Sequence, residues 1–319
     1  MKSYKTVLAA LLLSSIVSMP SYAFDLSLGN DEKSLGIKVD HKVDEPFGKP
    51  LPWGPASVRF SGNSLWAADT LKNRIVEYEL NGTYKNAIHL ELPNYSTIGD
   101  FCFGYFGEKK EKVLYVCDAD NPIIYVFNSS GKKISQFGSP DKKTILINPH
   151  RIEFYDGNIY VLDTGRSNIF VYNTKFHQGK AIVTYSNNFA IENDSLIHIV
   201  PLKKKKCIEC YNLKTSERQY YELDYPEDAE IDFISANQNL AFIGDILFNE
   251  GANKAQYQII QVDKNNNLIK LNTDYPVSFM VRSFIKDKSG KLYQIKFDES
   301  QPNKLTIDKL PDNFKESEG

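Results

Sequence analysis

Three recurring aspartates are the first residues whose type and spacing could carry chemistry. Asp69, Asp118 and Asp163 each end an apolar run, at successive spacings of 49 and 45 residues. Carboxylates at equivalent positions could bind a metal ion, but an aspartate at a strand end more often accepts hydrogen bonds from the N–H groups of the following turn. We therefore predict that these aspartates are structural, and we assign no metal to them.

A histidine and the arginine beside it are the next candidates. His150 and Arg151 follow a proline at the start of a predicted strand, where a histidine could bind a ligand, transfer a proton or hold a metal. The positions equivalent to His150 in other repeats are Ala56, Asp100 and Ala229. Because these positions add no further histidine, a cage of several histidines is not predicted, and a structural role for His150 is the alternative.

Four cysteines could form disulfides or do redox chemistry. Cys102 and Cys117 lie at equal distances from a predicted turn between two antiparallel strands, a spacing compatible with a disulfide. Cys207 and Cys210 have the spacing of a redox pair, but their flanks predict a strand and not the helix start that stabilises a thiolate. We predict a Cys102–Cys117 disulfide, and for the second pair either a structural disulfide or two inert thiols.

The aspartates mark a repeated unit that must position these side chains. Residues 65–80, 114–128 and 159–173 each contain an apolar strand ending in Asp, a polar turn and an alternating strand that ends in aromatic residues. A further strand candidate lies before and after each segment, so each unit has four strands, as in a propeller blade. The strand rhythm continues to residue 310. The sequence therefore predicts an all-β fold, a six-bladed β-propeller of four-stranded antiparallel blades.

The last unit is one strand short. Residues 34–43 alternate and precede the first full unit, and propellers are commonly closed by a strand from the other terminus, which removes exposed edges. We therefore predict that residues 34–43 supply the closing N-terminal strand. The expected organisation is a propeller over residues 24–311 and a polar tail over residues 312–319.

The first repeat carries the most detailed family pattern. An Asp-Thr pair, an Asn-Arg-Ile triplet, an aromatic residue and a glycine follow in order as Asp69-Thr70, Asn73-Arg74-Ile75, Tyr78 and Gly82. This pattern resembles the NHL repeat, and the resemblance is clear over about residues 53–185 and weak afterwards. It implies a propeller that acts as a binding or scaffold protein for a protein, peptide or glycan partner.

The N-terminus indicates the compartment. Residues 1–23 contain a short basic start, an apolar run and a Ser-Tyr-Ala ending, which are the parts of a cleaved signal peptide. The apolar run is shorter than the roughly 20 residues that span a bilayer. The expected location is periplasmic or secreted, without membrane insertion. The net charge of −2 gives no sign of nucleic-acid binding.

The predicted ligand site is the rim where loops lead into the innermost strands. These loops carry Trp53, Asp100, His150, Arg151, Asp228 and Glu230. An aromatic ring with mixed charges suits a polar ligand. No nucleophile elbow, phosphate-binding loop or HExxH motif is present, so a binding protein without a cofactor is the leading hypothesis. The alternative is a metal-dependent hydrolase or lyase with Ca or Zn in the central channel.

Overall fold

The structure is a computed structural model of the chain. It describes residues 24–38, 54–138, 146–202, 205–222, 230–237, 240–248, 255–262, 268–274, 282, 284–298 and 300–310, with side chains left undescribed over 230–274. The predicted signal peptide, residues 1–23, and the predicted tail, residues 312–319, therefore lie outside the described residues.

The described chain is built almost wholly from antiparallel strands. It begins with β1 (Phe24–Ser27). Blade 1 follows as β2 (Val58–Ser61), β3 (Ser64–Asp69), β4 (Arg74–Tyr78) and β5 (Tyr84–His89), with a 3-10 turn at Thr70–Lys72 between β3 and β4. Blade 2 is β6 (Ile98–Phe106), β7 (Glu111–Asp118), β8 (Ile123–Phe127) and β9 (Lys133–Gly138). Blade 3 is β10 (Pro149–Tyr155), β11 (Asn158–Asp163), β12 (Asn168–Asn173) and β13 (Gln178–Val183).

The second half continues the same pattern. Blade 4 is β14 (Ala190–Glu192), β15 (Ser195–Leu202), β16 (Lys205–Asn212) and β17 (Arg218–Glu222). The next sheet is β18 (Glu230–Asn237), β19 (Leu240–Phe248), β20 (Ala255–Val262) and β21 (Leu268–Asp274). The closing blade contains β22 (Phe284–Lys286), β23 (Leu292–Phe297) and β24 (Lys304–Lys309). Within each sheet the strands pair in chain order, and β1 adds to β24.

The N-terminal closing strand exists, but the predicted residues were wrong. Phe24 to Ser27 pair with Ile307 to Lys304 in antiparallel register, whereas residues 34–38 form no strand and residues 39–43 lie outside the described part. Leu28 and Leu35 are joined by a single parallel bridge and are both buried. Residues 28–36 therefore fold back against the molecule.

The predicted number of six blades is corrected to five. Five four-stranded sheets, blades 1 to 4 and the closing blade, are described with their side chains. The four-stranded β18–β21 sheet lies beside blade 4 but is described by its backbone pairing alone. The count of five refers to the sheets whose side-chain packing is described, and the β18–β21 sheet is described as paired backbone.

Apolar cores lie between adjacent blades. Side chains alternate along a strand, so Tyr115 of β7 packs with blade 3 while Leu114 and Val116 pack with blade 1. Equivalent cores join the closing blade to blade 1 and blade 3 to blade 4. The first strands β6 and β10, β10 and β14, and β2 and β22 contact one another, and these five strands lie at the centre of the propeller.

Two of the recurring aspartates make the turn bonds predicted from the sequence. Asp118 accepts hydrogen bonds from the N–H groups of Asp120 at 2.9 Å and Asn121 at 3.2 Å. Asp163 accepts one from the N–H of Arg166 at 3.2 Å. Both aspartates are buried, so the carboxylates satisfy backbone groups that water does not reach.

The aspartates also hold the segment that precedes each blade. The N–H of Ile147 donates to Asp163 at 2.6 Å. In blade 1, Asp69 accepts hydrogen bonds from the N–H of Gly36 at 3.0 Å and from Nε of Arg74 at 2.8 Å. Asp69 therefore ties the N-terminal segment to blade 1.

Candidate functional site

Charged side chains from the innermost strands meet in the centre of the propeller. Asp100 lies on β6, Arg151 and Glu153 on β10, and Arg59 on β2. Arg282 lies two residues before β22. We call these five residues the channel cluster. Because they come from four blades, only the closed arrangement of the blades brings them together.

Asp100 is the centre of the channel cluster. Its carboxylate is fully buried and accepts hydrogen bonds from Nε and Nη2 of Arg282 at 3.0 and 2.6 Å and from Nη2 of Arg59 at 3.3 Å. The N–H of Ile152 adds a bond of 3.0 Å. Burial by itself raises the pKa of a carboxyl group, but the positive charges of Arg282 and Arg59 outweigh it and hold the pKa of Asp100 far below its usual range. Asp100 is therefore ionised and fully engaged.

Glu153 shares the same two arginines. It lies 3.2 Å from Nη1 of Arg59 and 2.8 Å from Nη2 of Arg282. Burial opposes its ionisation, and Arg59 and Arg282 together lower its pKa. Both carboxylates of the channel cluster are thus committed to Arg59 and Arg282.

Arg151 is the cation of the channel cluster to which neither carboxylate is hydrogen-bonded. Its residue is 4% exposed, and Nε and Nη1 are buried without a hydrogen-bond acceptor in the part of the chain that the structure describes. The carboxylate of Glu153 is 4.0 Å from Nε, beyond hydrogen-bonding distance, and the ring of Phe189 lies 5.9 Å from the guanidinium carbon. Burial and the positive charge of Arg282 lower the pKa of Arg151 to about 9. The environment of Arg151 is therefore short of negative charge.

A cavity of about 210 Å³ opens beside these groups. Arg59, Arg151, Glu153 and Arg282 form its polar wall. Apolar side chains of β2, β14 and β22 and a Glu192–Lys286 ion pair complete the lining. The cavity combines an apolar wall with a few convergent polar groups, which is the character of a small-ligand site.

The structure places the predicted rim residues differently. Asp100 and Arg151 both belong to the channel cluster. His150 lies in an irregularity of the β10–β11 register, is partly buried, and is not among the residues lining the cavity. Burial lowers the pKa of His150, so it is neutral at pH 7. Trp53 and Asp228 lie outside the described residues, and Glu230 is described only as the first backbone residue of β18.

Arg59, Glu153 and Arg282 were not among the residues predicted for the site. They lie in segments 57–60, 151–154 and 279–286, which the sequence predicts as first strands of units. Charged residues are almost never buried without a partner, so a charge in an innermost strand is the signal that could have identified them. Their mutual distances could not be obtained in this way, because the residues are far apart in the chain.

The predicted Cys102–Cys117 disulfide was wrong. Both thiols are buried and free. Cys102 stands opposite Tyr115, because the hairpin turn is formed by residues 107–110 and is centred one residue earlier in the chain than predicted. Equal counting from the turn therefore placed Cys117 two residues away from its true position relative to Cys102. Burial raises the pKa of both thiols, which keeps them protonated.

The second cysteine pair is also free. Cys207 and Cys210 lie on the same strand, β16, opposite Val200 and Ile197. Residues three apart on a strand point to opposite faces. Of the two alternatives left open by the sequence, the structure shows two separate thiols. Burial raises the pKa of Cys210 to about 11, so it is not a reactive thiolate.

A second buried polar cluster lies in blade 4. His198 donates or accepts through Nε2 at 2.7 Å from Oε2 of Glu209, and Oε1 of Glu209 accepts from the hydroxyl of Tyr220 at 2.8 Å and from Nη1 of Arg218. Burial opposes ionisation of Glu209, but the bonds from His198 and Tyr220 lower its pKa to about 2. Glu209, Arg218 and Tyr220 border an outer groove of about 400 Å³ between blades 3 and 4.

A metal site needs several donor side chains close together. Within the described ranges, no group of three or more His, Cys, Asp or Glu side chains is arranged to hold a metal. No described helix is long and apolar enough to cross a membrane.

Two solved structures from Bacteroides are similar to this chain over nearly its whole length. A member of the DUF4221 family from Bacteroides vulgatus aligns with a TM-score of 0.56 at 12% identity, covering 90% of this chain and 95% of that one. A Bacteroides fragilis protein assigned as exported aligns at 0.52 and 11% identity, covering 91% and 95% of the two chains. At these identities the likeness shows the fold, and together with the blades described above it makes this protein a β-propeller.

A third similar structure is part of a larger assembly of domains. It is the extracellular domain of a protein assigned to a one-component system from B. thetaiotaomicron, with a TM-score of 0.53 and 14% identity over 80% of this chain. The present chain spans 33% of that ectodomain. No family model matches the chain, and no curated protein matches it in sequence. Membership of the NHL family therefore stays a prediction.

Proposed function

We propose that this chain is an exported binding protein whose protein, peptide or glycan partner inserts a small polar group into the cavity beside the channel cluster. The observation that carries the proposal is the buried guanidinium of Arg151, which borders the cavity with two donors that have no acceptor in the described chain. Buried donors without partners are costly and uncommon. A ligand group in the cavity would satisfy them.

The size of the cavity supports insertion of a part of the partner. Ligand pockets for whole small molecules usually exceed about 300 Å³, and this cavity measures about 210 Å³. A terminal group, such as a chain end or a single substituent of a sugar, fits that space. The remainder of the partner would lie on the surrounding rim of the propeller.

Export is supported by two independent observations. Residues 1–23 have the pattern of a signal peptide. Two of the similar structures are an extracellular domain and a protein assigned as exported. A periplasmic or secreted location follows from the proposal, and it places the propeller where it can meet peptides or glycans from outside the cell.

The alternative of a metal-dependent hydrolase or lyase gains no support from the described site. The carboxylates of the channel cluster, Asp100 and Glu153, are already engaged by Arg282 and Arg59. A metal ion would have to compete with two guanidinium groups for the same oxygens. Metal analysis of the purified mature protein tests this alternative, because stoichiometric Ca or Zn would favour it.

The proposal is tested by filling the cavity. Ile191 lines the cavity from β14 and is partly buried, so Ile191→Trp should occupy the space. A panel of short peptides and of neutral and acidic oligosaccharides is screened by thermal shift. We expect at least one compound to raise the melting temperature of the wild type and to have no effect on Ile191→Trp.

The matched control is Ile134→Trp. Ile134 is 40% exposed on β9, away from the cavity lining, so this variant should respond like the wild type. Ala190→Leu, also at the cavity wall, is a second blocking variant if Ile191→Trp folds poorly. Compounds that stabilise the wild type and the blocked variants equally would show that the ligand binds elsewhere.

A further inference from the structure

The chemistry of the cavity identifies the group that it would accept. Nε and Nη1 of Arg151 are donors, and a guanidinium group has no acceptor atoms. The group that satisfies them must therefore accept hydrogen bonds. A bond between a charged donor and a charged acceptor is about twice as strong as one between neutral groups, so an anionic acceptor is favoured over a hydroxyl or an amide oxygen.

The charge balance of the channel cluster leads to the same conclusion. Arg59, Arg151 and Arg282 are positive, and Asp100 and Glu153 are negative, which leaves one positive charge without compensation among the described side chains. Glu192 and Lys286 at the cavity wall form a pair and add no net charge. Buried charges are usually paired. Among the described side chains, the component needed for balance is a single negative charge.

The size of that charge distinguishes a carboxylate from a phosphate. A phosphate monoester carries about −1.5 to −2 at neutral pH, which would leave the cavity with excess negative charge next to Glu153. A carboxylate carries one unit and balances the cluster. It is also small enough to enter a cavity of about 210 Å³ together with its first carbon atoms.

We infer that the cavity beside Arg151 is a receptor for a single carboxylate group of the ligand. This inference rests on the proposed function and specifies its ligand chemistry. The apolar side chains Phe60, Ile191 and Phe284 line the same cavity and contact the hydrocarbon part of the acid. The lowered pKa of Arg151 is consistent with a site that lacks its counter-ion, since a bound anion would raise it again.

The inference is tested by calorimetric titration of the full mature protein with acetate and with its neutral isostere acetamide, at fixed pH and ionic strength. We expect one acetate site and an at least tenfold weaker interaction with acetamide. Arg151→Gln should weaken acetate binding at least tenfold, which corresponds to the loss of one charge-assisted hydrogen bond or more. Arg151→Lys keeps the charge and should retain part of the affinity.

The control is Arg166→Gln. Arg166 is exposed on blade 3, and only its backbone N–H bonds to Asp163, so this variant should bind acetate within twofold of the wild type. Melting temperatures accompany every titration. Arg151→Gln should melt at or above the wild-type temperature without ligand, because it removes a buried charge whose Nε and Nη1 have no acceptor among the described residues; a folded, stable variant with unchanged acetate affinity would overturn the inference.

Two further outcomes separate the inference from the proposed function. Tighter binding of inorganic phosphate than of acetate would reject the carboxylate assignment. Neutral ligands that need the open cavity, and that lose their effect in Ile191→Trp but not in Arg151→Gln, would support the binding function and reject the anion receptor. Acetate binding that needs Arg151, with no panel compound sensitive to Ile191→Trp, would instead support the receptor and reject the proposed function.

Discussion

Arg74 and Arg151 are both buried arginines, but their surroundings differ in one respect. Every side-chain nitrogen of Arg74 donates a hydrogen bond: Nε to Asp69 at 2.8 Å, Nη1 to the carbonyl of Glu32 at 2.7 Å and Nη2 to the carbonyl of Ser34 at 2.8 Å. In Arg151, Nε and Nη1 have no acceptor within the described chain. Arg74 lies under the N-terminal segment, whereas Arg151 borders a cavity.

The difference separates a structural charge from a binding charge. Moving a charged group out of water costs several kcal/mol, and the cost is recovered only when its hydrogen-bonding groups are satisfied. Arg74 recovers it within the fold, by holding residues 32–34 against blade 1. Arg151 does not, so the fold maintains a donor pair that a ligand can complete.

The largest expected effect is the removal of Arg74. Arg74→Ala leaves Asp69 buried without its cation and releases the N-terminal segment, so unfolding should become easier by about 3–5 kcal/mol. Urea denaturation of the wild type and the variant measures this difference. Lys85→Ala is the comparison, since Lys85 is 41% exposed in its pair with Glu77 and exposed pairs contribute less than about 1 kcal/mol. Equal losses in both variants would contradict the structural role of Arg74.

An intermediate effect on stability is expected from protonating Glu209. Its carboxylate is hydrogen-bonded by His198, Arg218 and Tyr220 and borders the outer groove. Its pKa is lowered from 4.5 to about 2 in the folded protein, so its stabilising contribution is full above about pH 4.5 and is lost as the pH falls towards 2. That contribution is on the order of 3 kcal/mol. Stability measured between pH 7 and pH 2 should therefore fall more steeply for the wild type than for Glu209→Gln.

At neutral pH the Glu209→Gln variant should already be less stable, because His198 and Arg218 lose their charged acceptor. Tyr220→Phe removes one bond to the same carboxylate without changing its charge, and it should keep most of the acid sensitivity. Parallel stability curves for the wild type and Glu209→Gln down to pH 2 would show that Glu209 is not the titrating group.

The smallest effect on stability, and the sharpest on binding, is expected from Glu153→Gln. Glu153 bonds to Arg59 and Arg282, but both arginines keep Asp100, so the loss should be about 1–3 kcal/mol. The variant also raises the uncompensated charge of the channel cluster by one unit. Acetate should therefore bind several-fold more tightly, as measured by the same titration, and weaker binding would contradict the charge balance proposed for the cavity.

The repeats predicted much of the strand order. The segments 65–80, 114–128 and 159–173 became β3–β4, β7–β8 and β11–β12, because a strand that is buried on both faces must be apolar and a turn must be polar wherever the strand lies. The register in which neighbouring strands pair was harder to predict from the sequence. The turn between β6 and β7 lies at residues 107–110, so Cys102 pairs with Tyr115 and not with Cys117, and a displacement of the turn by one residue changes no pattern of apolar and polar residues that would reveal it.

The sequence predicted two of the five residues of the channel cluster. Asp100 and Arg151 were selected because they begin innermost strands, and both belong to the channel cluster. Arg59, Glu153 and Arg282 were not selected, because each is one charged residue in an apolar strand until its partner is known. Arg282 and Asp100 are 182 residues apart in the chain and 2.6 Å apart in space.

By itself, the sequence determined the class of fold, the position of most strands in the first half and the residues that begin the innermost strands, since these depend on local patterns of apolar, turn-forming and aromatic residues. The tertiary structure decided which strand closes the propeller, which cysteines face one another and which charges are neutralised. Pairing and burial depend on groups far apart in the chain, and no local pattern records the distance between them. The two donors of Arg151 that have no acceptor among the described residues, on which the proposed function rests, are visible only in the three-dimensional arrangement.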